Sequence, residues 1–158
     1  MEKSLLRQCF GNFITGITVV TTRHQDSPIG FTANSFTSVS LDPPLLLICI
    51  DNSSDNIDSF KQSKTFGINI LADDQADMSN RFSSVMDNRF EGISWHVSEH
   101  GNPELEGISA FFDCSLESTH QAGDHTILIG RIHDCYHTDK NGLGYFQGCY
   151  VTVASEDD

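Results

Sequence analysis

Three stretches of this 158-residue chain carry residue types that can do chemistry. In Gly123-Asp124-His125-Thr126-Ile127-Leu128-Ile129-Gly130, a glycine turn presents a carboxylate and an imidazole immediately before an apolar strand. A carboxylate beside an imidazole can fix its tautomer. An Asx-type turn followed by a strand-end histidine is the plainer reading of the same residues.

The second stretch is Thr32-Ala33-Asn34-Ser35-Phe36-Thr37-Ser38-Val39-Ser40. Half-buried strands alternate polar and apolar residues, whereas this one places small hydroxyl and amide groups on both faces. Small side chains let a flat ligand approach the backbone, and Asn and Ser can meet the edge atoms of a polar heterocycle. A Ser/Thr-rich edge strand bonded to itself or to water accounts for the same composition. The third stretch, Asp51-Asn52-Ser53-Ser54-Asp55, lies between an apolar strand and a helix start. Its N–H groups and hydroxyls suit a phosphate, although plain N-capping needs only one of them. Arg89 can add a charge-assisted contact to the same phosphate, or stand as a surface arginine.

Other chemistry is poorly supported. Gly11-Asn12-Phe13-Ile14-Thr15-Gly16 has neither Rossmann nor P-loop spacing and precedes a strand instead of following one. His133 and His137 fall on one face of a strand about 13 Å apart at ~3.3 Å per residue, too far to share a metal. His96 and His100, with Glu99 nearby, form only a weak ligand set, so no metal is expected. Nine basic against twenty-two acidic residues leave a net charge of −13. That field disfavours nucleic acid and anionic membranes as partners. An anionic cofactor would then depend on local arginines, backbone N–H groups or a helix N-terminus. Five cysteines without a C-x-x-C spacing suggest neither a disulfide framework nor a zinc site. Cys49, Cys114 and Cys135 sit in apolar runs and read as small core residues. Met1-Glu2-Lys3-Ser4 lacks the start of a signal peptide, and the longest apolar run, Leu45–Ile50, is strand-sized, so a cytoplasmic protein is expected.

The elements that must position these residues follow from hydrophobic periodicity. Leu5, Leu6, Cys9, Phe10 and Phe13 give Glu2–Phe13 helical spacing. Strands are expected at Ile17–Thr22, at Ile29–Ser40 with a bend near Ala33-Asn34-Ser35, at Leu45–Ile50 as a fully buried run, and at Phe66–Leu71. Short helices are expected over Asp55–Ser63 and from Asp73-Asp74 to Phe82, followed by a looser region, Ser83–Gly107. Ala110–Ser118, His125–His137 and Gly144–Val153 read as closing strands, with Asp139–Gly142 as a hairpin turn between the last two. Six or seven strands and three helices in one domain, residues 1–154 with a polar tail at 155–158, indicate a mainly β (α+β) fold. The expected form is an antiparallel split β-barrel with peripheral helices.

Taken in order, several segments resemble the flavin reductase-like, FMN-binding split-barrel family, and within it the short reductase components of two-component flavin-dependent monooxygenases. The markers are Phe13–Thr21, Gly30–Ser40, Asp42-Pro43-Pro44-Leu45, Phe66–Leu71, Arg81-Phe82-Ser83, Arg89-Phe90-Glu91-Gly92, Gly123-Asp124-His125 and Tyr145-Phe146-Gln147-Gly148-Cys149-Tyr150. Together they run from about Leu5 to Val153.

The resemblance implies an NAD(P)H:flavin oxidoreductase that moves a hydride from NADH or NADPH to FMN or FAD. It also implies a homodimer and a partner monooxygenase that takes the reduced flavin. An FMN-holding electron-transfer module without its own nicotinamide site is the alternative. For the site, the resemblance implies that Thr32, Ala33, Asn34, Ser35, Ser38, Val39 and Ser40 line the isoalloxazine and ribityl chain. Asp51, Asn52, Ser53, Ser54 and Arg89 would approach the phosphate, and Phe82 would border the flavin. Tyr145, Phe146 and Tyr150 would border the ligand region. His125, with Asp124 beside it, would lie where the nicotinamide stacks and is the catalytic candidate. The chain departs from the commonest pattern at Gln147 and Cys149, where a basic residue and a second glycine are usual. It departs again at Asn52 or Ser53, where an arginine is usual.

Overall fold

A computed structural model describes residues 1–154; the polar tail expected at 155–158 lies outside the described residues. The chain opens with α1 (Lys3–Gly11) and β1 (Thr15–Gly16). Four strands follow: β2 (Thr18–His24), β3 (Ser27–Ala33), β4 (Thr37–Leu41) and β5 (Pro44–Asp51). Then come α2 (Ile57–Gln62), β6 (Thr65–Ile70), α3 (Ala76–Ser83), β7 (Trp95–Val97) and β8 (Pro103–Leu105). Two long strands, β9 (Ala110–Ala122) and β10 (His125–His137), precede the closing pair β11 (Leu143–Phe146) and β12 (Cys149–Thr152).

One antiparallel sheet of seven strands, in the order β3-β2-β6-β9-β10-β5-β4, forms the frame. Its two ends curl towards each other, because residues from β2, β5, β6, β9 and β10 share a single core. Val20, Leu46, Ile48, Ile50, Phe66, Ile68, Cys114 and Leu128 meet there, and Ile57 and Phe60 of α2 join them. A flat sheet cannot bring its second strand and its sixth into one cluster; a split barrel does. Two-residue turns fix the hairpins. Gln25 and Asp26 both take positive φ between β2 and β3, and Gly123, at φ 63°, turns β9 into β10. Pro28, which cannot donate to a ladder, sits on β3 at the sheet edge.

The outside of the barrel is covered unevenly. Ile17, Val19, Leu71, Phe82, Phe90, Leu105, Ile108, Phe111 and Leu143 form a second core beneath α3, β8 and β11. Residues Thr18–Thr22 of β2 are therefore buried on both faces. Leu45–Ile50 was expected to be buried throughout, but the strand alternates. Leu46, Ile48 and Ile50 are buried, while Leu45, Leu47 and Cys49 are half-buried, because none of the described residues covers that face fully. Ile127 and Ile129, paired with Cys49 and Leu47, continue the same half-covered apolar face on β10. The α1 helix has no buried residue, and Phe10 and Phe13 are 68% and 77% exposed.

Three further expectations are corrected. Cys135 is exposed, because β10 has left the core by that point; Cys114 alone of the three is fully buried. Asp139–Gly142 does not join a hairpin: β10 pairs with β9 and β5, whereas β11 pairs with β1 and β12. The expected single strand Gly144–Val153 is itself a hairpin turning at Gln147-Gly148, both with positive φ. Within the looser region, β7 and β8 form a small sheet. Buried Asn69 holds it to the barrel, accepting from the Leu105 N–H at 2.8 Å and donating to the Pro103 carbonyl at 3.4 Å.

The curl leaves no room at Gly130, where an added Cβ would lie 2.5 Å from Cζ of Phe66 and 3.2 Å from Cβ of Cys114. Both neighbours are buried and cannot swing away. Gly130→Ala should destabilise the fold by about 1–3 kcal/mol, measured as a lowered urea midpoint at unchanged slope.

Candidate functional site

At the split between β3 and β5, a side chain does the work of a backbone ladder. β4 and β5 pair at Thr37↔Leu47, and continuing that register would put Ser35 opposite Cys49. The backbone has left the strand by then, and the Ser35 hydroxyl takes over. It accepts from the Cys49 N–H at 2.9 Å and donates to the Cys49 carbonyl at 3.2 Å. The gap that results is a hollow of about 270 Å³ lined by Thr32, Ala33, Asn34, Ser35, Cys49, Asp51, Ser54 and His125, among others. Burial pushes the Cys49 thiol up, against a smaller opposing effect of the Ser35 hydroxyl, so its wall is a neutral thiol at ordinary pH.

Two neighbouring hollows share residues with it. Ser54 also lines a groove of about 450 Å³ with Ser53, Asp55, Asn56, Gly30, Met86, Asp87, Asn88 and Arg89. Asn34 also lines one of about 340 Å³ with Arg7, Phe10, Phe13, Tyr145 and Gly148. The three hollows adjoin through the shared wall residues Ser54 and Asn34 and together make up the trough, with Arg89 in the groove that shares Ser54, His125 in the middle hollow and Tyr145 in the one that shares Asn34. The Asn34 side-chain amide has no hydrogen-bond partner among the described residues. Arg89 is fixed by three bonds to carbonyls: Nε and Nη2 donate to Ser84 at 3.0 and 2.8 Å, and Nη1 donates to Gly30 at 2.8 Å. A guanidinium has five N–H groups, so two remain for a ligand, one on each terminal nitrogen.

His125 stands opposite Asp51 in the β10–β5 register. Its Nδ1 lies 2.8 Å from Oδ1 of Asp124. With Nδ1 donating to that carboxylate, the neutral ring presents Nε2 as an acceptor. The hydrogen bond and charge of His125 hold the Asp124 carboxyl below the usual aspartate range. Asp51 is held low chiefly by the Ser53 N–H and then by the Ser53 hydroxyl, both donating to Oδ1 at 2.8 and 2.7 Å. His125 contributes a smaller attraction.

The expected site residues divide accordingly. Thr32, Ala33, Asn34, Ser35, Asp51, Ser53, Ser54, Arg89, His125 and Tyr145 line the trough, and Asp124 braces His125. Others are engaged elsewhere. Asn52 buckles the β9–β10 turn: its Oδ1 accepts from Thr126 Oγ1 at 2.6 Å, and its N–H donates to the Asp124 carbonyl at 3.0 Å. Phe82 has no exposed surface. Its ring lies edge-on to Phe90 at 4.9 Å and fills the space beside Gly30, so it backs the wall of the trough from within the core. Ser38, Val39 and Ser40 lie outside the three hollows, on β4, where a bulge leaves Val39 out of the pairing. The Tyr150 hydroxyl is spent on Ser79 Oγ and Asn80 Oδ1 of α3, both at 2.8 Å. Phe146 is half-buried outside the trough. His96 faces Glu104, and His100 faces Asp113 and stacks on His133 with ring centres 5.0 Å apart.

The trough also has walls that the sequence reading missed, namely Arg7, Phe10 and Phe13 of the first helix region, Cys49, and Met86–Asn88. The unsatisfied apolar stripe of α1 was a visible signal for the first group. Nothing local marks Met86–Asn88.

Residues 10–154 match the family model described as flavin reductase like domain. The chain is 50% identical over 150 residues to the reductase component of flavin-dependent trigonelline monooxygenase of Acinetobacter baylyi, covering 94% of this chain. It spans only about half the length of that relative, 48%. It is 43% identical to the reductase subunit HsaB of a flavin-dependent monooxygenase of Mycobacterium tuberculosis, covering 99% of this chain and 85% of the other. Among solved structures, the NADH:FAD oxidoreductase SgcE6 of Streptomyces globisporus, in complex with NAD and FAD fragments, superposes with a TM-score of 0.95 at 33% identity. That match covers 99% of this chain and 96% of the other.

Asp51 and Asp124 should titrate below the ordinary aspartate range in a carbon-detected NMR titration. Their hydrogen bonds are complete at neutral pH and are lost only as the pH falls through those lowered values. Ser53→Ala should raise the Asp51 midpoint while leaving that of Asp124 nearly unmoved, since only Asp51 is bonded to Ser53.

Proposed function

The chain belongs to the flavin reductase-like domain family, and on that premise we propose that it is an NAD(P)H:flavin oxidoreductase. The observation that carries this reading is the trough itself. It joins a small-residue wall at Thr32–Ser35, a cationic end at Arg89 and a braced imidazole at His125. A trough of this shape suits a flat heterocycle with an anionic tail, FMN or FAD. Asn34 and Ser54 offer polar groups along its length, and the two spare N–H groups of Arg89 meet a phosphate oxygen by charge-assisted bonds.

The nicotinamide supplies a hydride and the flavin accepts it; the protein's work is positioning. Hydride transfer needs no protein base. His125 therefore orients: its Nε2 accepts a hydrogen bond from the carboxamide N–H of NADH or NADPH, and Asp124 holds the ring in the tautomer that can do so. Ser53, by engaging Asp51, keeps that carboxylate anchored beside the imidazole.

The reduced flavin passes to a flavin-dependent monooxygenase, the arrangement named for the Acinetobacter and Mycobacterium relatives. The active form is a homodimer. Two apolar surfaces support this, the stripe of α1 and the half-covered face of Leu45, Leu47, Ile127 and Ile129, which adjoins the trough at Cys49 and His125. Five unpaired thiols suit a reducing compartment, the cytoplasm. Among the described residues, no helix is long and apolar enough to cross a membrane.

Anaerobic addition of NADH to the flavin-loaded protein should bleach the flavin band at about 450 nm within seconds. Absence of bleaching with flavin bound would instead assign a fixed electron-transfer module. His125→Ala should slow that reduction by about 10- to 100-fold while changing flavin affinity by less than about threefold. Equal loss of both would remove His125 from the nicotinamide side.

A further inference from the structure

Arg89 is the one trough arginine placed at the end proposed for the phosphate, and something must hold it there. It lies on an irregular segment between α3 and β7 that contributes no strand to the barrel. The inference that follows rests on the flavin-binding reading above.

We infer that Arg81 is a positioning residue for phosphate recognition: its guanidinium clamps the backbone of Arg89 and thereby sets where the Arg89 side chain stands. Arg81 occupies the last turn of α3. Its Nε donates to the Arg89 carbonyl at 2.6 Å, and its Nη2 donates to the Glu91 carbonyl. Two carbonyls two positions apart are thus gripped by one planar fork, much as a neighbouring strand would grip them. Arg81 has no carboxylate within salt-bridge distance among the described residues, so these carbonyls are the partners that orient it.

The adjacent side chains repeat the pairing in apolar form. Phe82, next to Arg81, packs edge-on against Phe90, next to Arg89, with ring centres 4.9 Å apart; Trp95 also packs edge-on against Phe90, at 5.5 Å. Phe90 is 6% exposed. Successive residues of α3 therefore hold successive residues of the loop, polar on polar and ring on ring. The helix is in turn tied to the wall of the trough, because Thr32 Oγ1 donates to the Ser79 carbonyl at 2.7 Å. Arg81 itself is outside the lining of the trough. It acts on a ligand through Arg89.

Lysine separates geometry from charge. A lysine keeps the positive charge but cannot span both carbonyls with a rigid fork. The test compares Kd for FMN with Kd for riboflavin, which lacks the phosphate. Arg81→Lys should weaken FMN by about 5- to 20-fold while riboflavin stays within about twofold. In an Arg89→Ala background the Arg81→Lys effect on FMN should vanish, since the residue it positions is gone. Phe90→Leu, which loosens the same segment through the ring contact, should reproduce the selective loss and provides the measurement if Arg81→Lys does not fold.

Three results would overturn the inference. One is equal weakening of FMN and riboflavin, which marks a general structural role. Another is an unaffected Arg81→Lys beside a weakened Arg81→Gln, which marks charge alone. The third is an Arg81→Lys effect that persists without Arg89. If the unaltered protein binds neither flavin, the flavin-binding reading fails first and takes this inference with it.

Discussion

The split in the barrel depends on the Ser35 hydroxyl. Ladder pairing between β4 and β5 runs through Thr37↔Leu47, and two positions further in register one side chain, that of Ser35, serves in place of two backbone groups. Had the backbone stayed extended there, residues 34–36 would have followed β5 and filled the opening. A hydroxyl is both donor and acceptor, so it can satisfy the N–H and the carbonyl of Cys49 together while the chain swings away. Few residue types can do this within so short a reach. Small size at Ala33 and Ser35 and the free amide of Asn34 then become walls of a hollow instead of parts of a sheet. The small residues of this stretch thus serve the fold and the site by the same geometry.

α3 extends that geometry into a rigid frame. Its Ser79 accepts from Thr32 through the carbonyl and pairs with Tyr150 through the hydroxyl. Its Phe82 fills the space that a side chain at Gly30 would need, with an added Cβ only 3.2 Å from the ring. One face of a two-turn helix therefore touches β3, the closing hairpin and the Arg89 segment. Fixing a trough wall from behind avoids placing bulky groups inside it, which is how a narrow opening between strands keeps its width. Preorganised donors lose less entropy on meeting a ligand than mobile ones.

That division of labour explains what was legible in the sequence. The broken alternation of Thr32–Ser40 points to the candidate site because alternation is a local property, readable from one strand. Only its first half reaches the trough, since the bend at Ser35 sends Ser38–Ser40 along the outer edge. Asn52 and Phe82 lie beside the trough, but their side chains are engaged with Thr126 and Phe90. An amide that buckles a hairpin and an amide that meets a ligand have the same letter, and only the register between β5 and β10 tells them apart. Leu45–Ile50 misled for a related reason. Its six apolar residues report two apolar faces, and periodicity cannot say that the second is uncovered in a single chain. The β7–β8 hairpin escaped notice because buried Asn69 holds it, a long-range bond invisible in either segment alone.

Charge sharpens the reading of the trough. A chain of net −13 repels anionic ligands at a distance, but screening confines that effect to roughly 8 Å at physiological ionic strength. Inside the trough, Arg89 and Arg7 face Asp51, Asp55 and Asp87, so local charge does not favour an anion either. Attraction must come from oriented donors: two N–H groups of an immobilised arginine, an unpaired amide and the hydroxyl of Ser54. Such contacts select shape and orientation while leaving net attraction weak, because each carboxylate nearby offsets part of the gain. On the proposed reading, a flavin that leaves after reduction would be better served by that balance than by a strongly cationic pocket. Asn52 and Ser53, standing where the family resemblance implies an arginine, would move the chain in the same direction. If the chain acts as proposed, the acidic surface and the sparing use of arginine would express one property, a site that holds its ligand in register and lets it go.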